Sequence, residues 1–312
     1  MFTDSEGRLK PAWAFLLSAL IACAAFMASG YFAAAVAGNH ILQFEAVFRT
    51  CLVGLLLVEF SWLLTVGNHV ESHRLAAQGL PISPGWAIQF FVGGALGLVL
   101  VGIAVGAVAI AGRVAIRGTW APHPLYRLAL VLLVLLVGAL AEELMFRGYP
   151  FQRLVEAIGP AGAILVFSML FGLVHILNPG ASLWGLLNTV AIGVVLSVAY
   201  LRTGALWLPW GLHFAWNATL GLVFGLPVSG IRLFNVVVHA DATGPRWLTG
   251  GTYGIEASLP GAVAVLLGLA VVWLLPMKRL GNSPAIVAAD LRNDPTGLQV
   301  VNTPQPPPNL GL

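Results

Sequence analysis

The sequence predicts an all-α protein of the membrane, a polytopic transmembrane helical bundle of about eight spans around an intramembrane polar cavity, on three observations. Of 312 residues, 59% are hydrophobic and only 9% charged, with a mean hydropathy of +0.91; soluble domains run at roughly 45–50% apolar and about 25% charged. Apolar runs recur at the length of roughly 20 residues that crosses a hydrocarbon core of about 30 Å. Three groups of polar residues on those runs fall between positions 141 and 217. The same composition excludes an ordinary soluble globule. The net charge of +3 comes from 15 Lys and Arg scattered along the chain rather than set in one stripe, so no nucleic acid partner is expected. Cys23 and Cys51 lie far apart inside apolar runs, which leaves neither a disulfide framework nor a CxxC motif.

The first eleven residues are polar, and the apolar run that follows has no small-residue cleavage site, so it reads as a retained span. The expected spans are 13–37, 47–67, 88–111, 128–144, 161–177, 183–201, 206–226 and 260–276. This divides the chain into three N-terminal spans over 1–127, a four-span core over 128–226, a long extracytoplasmic connection over 227–259, the last span, and a tail over 277–312. The connection holds Gly230, Gly244, Pro245, Gly250, Gly251 and Gly254, and connections of that length are uncommon unless they cap or bind something. The tail ends Thr303-Pro304-Gln305-Pro306-Pro307-Pro308 and reads as disordered.

Eight spans put both termini on one side. That side carries Arg8, Lys10, Arg74, Arg147, Arg153, Arg202, Lys278, Arg279 and Arg292, against Arg113, Arg117, Arg127, Arg232 and Arg246 on the other. The positive-inside rule therefore places the termini in the cytoplasm, although Arg113, Arg117 and Arg127 form a basic loop against the rule.

An ionisable group at bilayer depth costs at least about 2.5–3.5 kcal/mol, so each one asks for a partner or a task. The first group is Glu142-Glu143-Leu144-Met145-Phe146-Arg147. Glu143 and Arg147 are i,i+4 neighbours and can pair, whereas Glu142 sits about 100° round the helix and points elsewhere. A carboxyl in a dry pocket suits a general base; the alternative is a solvated helix end with snorkelling side chains. The second group is Phe171-Gly172-Leu173-Val174-His175, and the third is His213-Phe214-Ala215-Trp216-Asn217, which sets an imidazole and an amide on one face. Either histidine alone reads as interhelical hydrogen bonding. Together the three groups can hydrolyse an amide, with a carboxylate and an imidazole taking a proton from water and neutral donors holding the oxyanion.

The patterns EExxxR, FxxxH and HxxxN, in this order on apolar segments, resemble the CPBP (ABI) family of intramembrane proteases, which includes the type II CAAX prenyl endopeptidases and bacterial immunity proteins. The resemblance covers roughly residues 128–226. It implies a helical membrane fold whose motif helices enclose a cavity open to one leaflet and to the cytosol, and an endopeptidase acting on a membrane-associated peptide or protein. By motif position, Glu142 would activate water with help from His175, Glu143 and Arg147 would orient the site, and His213 with Asn217 would stabilise the oxyanion. Whether zinc takes part stays open. Glu142, His175 and His213 are a legitimate three-ligand set, but HExxH is absent. The residues give no sign of a prenylated substrate, and a multi-pass protein of a bacterial plasma membrane is the expected setting.

The alternative is a membrane immunity, scaffold or transport protein that binds with the same cavity. Glu45, Arg49 and Glu59 on the second span supply further charge, read here as an interfacial patch with Arg49 pairing Glu45 at i,i+4. If Glu45 and Glu59 lined the cavity of Glu142, transport would gain weight. No internal repeat suggests an inverted-repeat transporter. His69, Glu71 and His73 are read as a surface run, His239 and Asp241 as solvated, Trp207 and Trp210 as an interfacial belt, and Trp216 as a candidate cavity wall.

Overall fold

Ten α-helices and a two-stranded sheet make up the described part of the chain, which in this computed structural model comprises residues 2–5, 9–66, 74–118, 125–232 and 238–281. In order they are α1 (Pro11–Ala37), α2 (Ile41–Val66), α3 (Arg74–Ala77), α4 (Trp86–Ile110), β1 (Val114–Gly118), α5 (Leu125–Arg147), α6 (Tyr149–Val174), α7 (Leu183–Thr203), α8 (Trp207–Ala218), β2 (Val238–Ala242), α9 (Arg246–Thr249) and α10 (Leu259–Leu274). A π-helical turn, Thr219–Val223, continues α8, and a 3-10 turn, Ile255–Ala257, precedes α10. The chain is a helical membrane bundle, and each of the eight expected apolar segments falls on a helix. Among the described residues, five stretches are long and apolar enough to cross a membrane, and the longest, Tyr126–Val174, runs through α5 from its second residue and all of α6. α10 is a shorter apolar helix. His69, Glu71, His73 and positions 282–312 of the tail lie outside the described residues.

Local chemistry sets the helix ends. Ser182 accepts from the Gly185 amide at 3.2 Å and Ser258 from the Gly261 amide at 3.1 Å, capping α7 and α10, as short side-chain oxygens do for the orphan donors of a first turn. α6 bends where Gly159 adopts a φ of 86° ahead of Pro160, whose ring cannot continue the ladder.

With no hydrophobic drive between helices in lipid, close packing decides the arrangement. α1 turns a stripe of small residues inward, Ala14, Ser18, Ala22, Ala25, Ser29 and Ala33, and packs on α2 and α6. α4 and α8 meet most extensively, because Gly93 and Gly97 on α4 face the backbone of α8: a Cβ on Gly97 would lie 2.5 Å from the Leu212 carbonyl oxygen. α8 is thereby held against α4 on one side and α5 on the other.

Trp207 and Trp210, at the start of α8, are anchored by their indole nitrogens. Trp207 donates to the Pro81 carbonyl at 2.9 Å and Trp210 to that of Leu136 at 2.9 Å, inside the bundle. Their indole N–H groups find partners on neighbouring backbones, which is what an N–H away from water requires. The long connection is also structured where described: β2 pairs antiparallel with β1, Val114 opposite Ala242. His239 and Asp241 are exposed there as expected, with Asp241 3.6 Å from Arg232.

Candidate active site

The last two turns of α5 carry Glu142, Glu143 and Arg147. As the spacing predicts, Arg147 Nη1 reaches Glu143 Oε1 at 3.2 Å, and both side chains are fully buried. Arg147 Nη2 donates to the Gly193 carbonyl on α7 at 3.2 Å, and its guanidinium lies 4.5 Å from the Phe171 ring centre, a cation–π contact to α6. A buried charge of this kind is tolerable only when paired and hydrogen-bonded, and one oxygen of Glu143 serves twice: His213 Nδ1 on α8 lies 2.8 Å from Oε1.

Glu142 points elsewhere, as the 100° step requires. Its side chain keeps 31% exposure and faces a cavity of about 590 Å³. Glu142 Oε2 is 3.7 Å from His213 Nε2, just beyond direct hydrogen-bond reach. His175 caps the C-terminus of α6, where its Nδ1 lies 2.6 Å from the Phe171 carbonyl. A carbonyl only accepts, so Nδ1 carries the proton and Nε2 of the neutral ring is left as an acceptor. Asn217 follows His213 by one turn of α8, and Glu142, His175, His213 and Asn217 all line the one cavity. Trp216 walls it, and most of the remaining surface is apolar.

Two contributions escaped the sequence reading. Glu45 and Arg49 pair at 2.8 Å as expected, but they line this cavity rather than forming a patch elsewhere, and Arg49 Nη1 comes to 4.0 Å from Glu142 Oε1. Glu59 lies 14 residues on, about 21 Å along the helix, and is not among the residues lining the cavity. The second contribution is Glu256, from the connection before α10. It accepts from Trp216 Nε1 at 3.0 Å on one oxygen and from the Ser229 amide on the other, and its own carbonyl takes Asn188 at 2.8 Å. Burial pushes the Glu256 carboxyl above the usual carboxylate range, against the opposing pull of those donors and of the His175 imidazole. Its neighbour Tyr253, 3.2 Å from Thr189 Oγ1, is pushed up to about 12 by the same desolvation. No spacing rule links Glu256 to α8; its one local signal in the sequence is an acidic residue beside an apolar span.

Among the described residues, no group of three or more His, Cys, Asp or Glu is arranged to hold a metal ion. His213 Nδ1 pairs with Glu143 and His175 Nδ1 with a backbone carbonyl, which leaves Nε2 of each ring as its lone-pair donor, and Glu142, His175 and His213 are not drawn together as a three-donor set.

The described residues thus form a helical membrane bundle with a carboxylate and two imidazoles around an apolar-walled cavity. Residues 124–219, from just before α5 through α8, match the family model for type II CAAX prenyl endopeptidase Rce1-like proteins. This segment contains Glu142, Glu143, Arg147, His175, His213 and Asn217, while Arg49 and Glu256 lie outside it. Comparison with curated proteins and with solved structures gives no match.

Proposed function

We propose that the protein hydrolyses a peptide bond of a membrane-associated peptide or protein within this cavity, with Glu142 as general base. The observation that carries the reading is the convergence of Glu142 from α5, His175 from the end of α6, and His213 with Asn217 from α8 on one apolar-walled space. A water bound between Glu142 and His175 Nε2 gives its proton to Glu142 as its oxygen adds to the scissile carbonyl carbon. The carbonyl oxygen, now an oxyanion, accepts from His213 Nε2–H and the Asn217 amide. For this role His213 carries both protons, with Nδ1–H donating to Glu143, which fixes the plane of the ring. Collapse of the tetrahedral intermediate breaks the C–N bond, and the leaving amine takes the proton held by Glu142. Positioned proton transfer contributes about 10²–10⁴-fold, and preorganised oxyanion donors about 10²–10³-fold each.

The apolar wall suits an apolar segment presented from the bilayer. The distribution of Lys and Arg supports cytoplasmic termini, and with eight spans residues 227–259 would then lie on the extracytoplasmic side. Purified protein in liposomes, presented with a library of membrane-associated peptides, should release fragments detectable by mass spectrometry, and Glu142→Gln should release none. If neither protein cuts while both retain the same peptide, the cavity binds rather than cleaves. Inhibition by chelator with recovery on added zinc would show that the site recruits a metal.

A further inference from the structure

We propose that Arg49, on α2 and outside the segment matched by the family model, is a positioning residue for Glu142, its guanidinium holding the carboxylate in the cavity. The inference rests on the reading of Glu142 as the general base. Three independent features of the structure carry it.

The first is the direction of the side chain. Arg49 Nε donates to Glu45 Oε2 at 2.8 Å one turn earlier on the same helix. A guanidinium is a planar fork, so fixing Nε fixes where the two Nη groups point. They point across the cavity toward α5, and Nη1 reaches to 4.0 Å from Glu142 Oε1.

The second is a notch cut for it. Gly138 lies one turn before Glu142 on α5, and the guanidinium occupies the place a side chain would take: a Cβ there would overlap Arg49 Nη1 and come within 2.8 Å of Cζ and 2.9 Å of Cδ. Glycine in a helix interior is less favourable than alanine by about 0.8–1.0 kcal/mol, and here its absence of a side chain is what lets a cation from α2 pass over α5 to the carboxylate.

The third is the symmetry of contacts around Glu142. One oxygen faces Arg49 and the other faces His213 Nε2 at 3.7 Å. A carboxylate with 31% exposure and, among the described residues, no hydrogen bond to backbone would otherwise sample its rotamers freely. Held between a guanidinium and an imidazole on opposite sides, it presents its remaining lone pairs to the lumen, where the water is bound. Glu45 completes the arrangement by sharing the guanidinium, so that Arg49 steers Glu142 without locking it in a direct pair.

The test uses the full chain in liposomes, with a peptide the wild type cleaves. Arg49→Gln should lower kcat by roughly 10- to 100-fold, the scale of a misplaced catalytic group, with KM within about twofold. Arg49→Lys, which keeps the charge, should recover part of that loss. Gly138→Ala removes no polar group and should lower kcat in the same way by displacing the guanidinium. An unchanged kcat with a raised KM in Arg49→Gln would instead make Arg49 a substrate-binding group and overturn the proposal. A second measurement does not depend on cleavage. Thermal midpoints of Arg49→Gln, Glu142→Gln and the double variant should be non-additive, the double losing less than the sum of the singles; additive shifts would overturn the pairing. If wild type cuts no peptide, or Glu142→Gln cuts as fast as wild type, the endopeptidase reading fails while the melting cycle still decides for or against Arg49.

Discussion

His213 Nδ1 lies 2.8 Å from Glu143 Oε1, with both side chains buried, so that a ring on α8 takes its orientation from a carboxylate on α5. Arg147 reaches the same oxygen at 3.2 Å. Glu143→Leu would strand the buried guanidinium and leave the imidazole without its acceptor, and breaking a buried pair in this way costs about 3–5 kcal/mol. A clearly lowered thermal midpoint in detergent is expected for Glu143→Leu, and a small change for the half-exposed Glu142→Gln. Equal losses for the two would contradict the division of labour between neighbouring glutamates.

The oxyanion assignment separates from the general base by kinetics. His213→Ala and Asn217→Ala should each lower kcat by about 10²–10³-fold and leave KM nearly unchanged, because the donors act on charge that develops only in the transition state. A raised KM with kcat intact for Asn217→Ala would move that amide to ground-state binding of the substrate.

Glu256 makes a pH-dependent contribution. Its carboxyl is raised by desolvation, so the folded state binds this proton more firmly than the unfolded state does. Between the ordinary carboxyl value and the raised one, the folded protein holds more protons, and stability falls as pH rises through that window. Lowering the pH from neutrality should therefore raise the thermal midpoint of the wild type relative to Glu256→Gln. A difference between the two proteins that stays constant with pH would contradict it.

Close packing of α4 on α8 should be as sensitive as the site itself. Gly97→Ala puts a methyl 2.5 Å from the Leu212 carbonyl oxygen and 3.0 Å from the Trp216 amide nitrogen, and overpacking of this kind costs about 1–3 kcal/mol. It should also lower cleavage, since the displaced helix carries His213 and Asn217. Gly102→Ala on the same helix, where no atom lies within 4 Å of the new carbon, should be tolerated. Equal effects of the two substitutions on the melting temperature would rule out the contact as their cause.

What could be read from the chain follows from the range of the interactions. Hydropathy depends only on neighbouring residues, so the eight apolar segments were visible and each is helical. The Glu143–Arg147 and Glu45–Arg49 pairs were visible for the same reason, since i,i+4 spacing is fixed by helix geometry. The partners of Glu256 are Trp216, 40 residues away, and Ser229, 27 away, and the fold alone brings them together. Arg49 and Gly138 meet across two helices, which no periodicity encodes. The pairing of β1 with β2 joins connections separated by four helices, and it too was hidden. The acceptors of the Trp207 and Trp210 indoles, Pro81 and Leu136, are likewise distant in sequence.

The central claim is that Glu142 and His175 activate one water as a unit. Cleavage of a single peptide by wild type, Glu142→Gln, His175→Ala and the double variant, measured under single-turnover conditions in liposomes, tests it most directly. Each single variant should lose most of the rate and the double little beyond the worse single, as groups acting in one step do. Losses that multiply, or a Glu142→Gln protein that still cleaves at the wild-type rate, would contradict it.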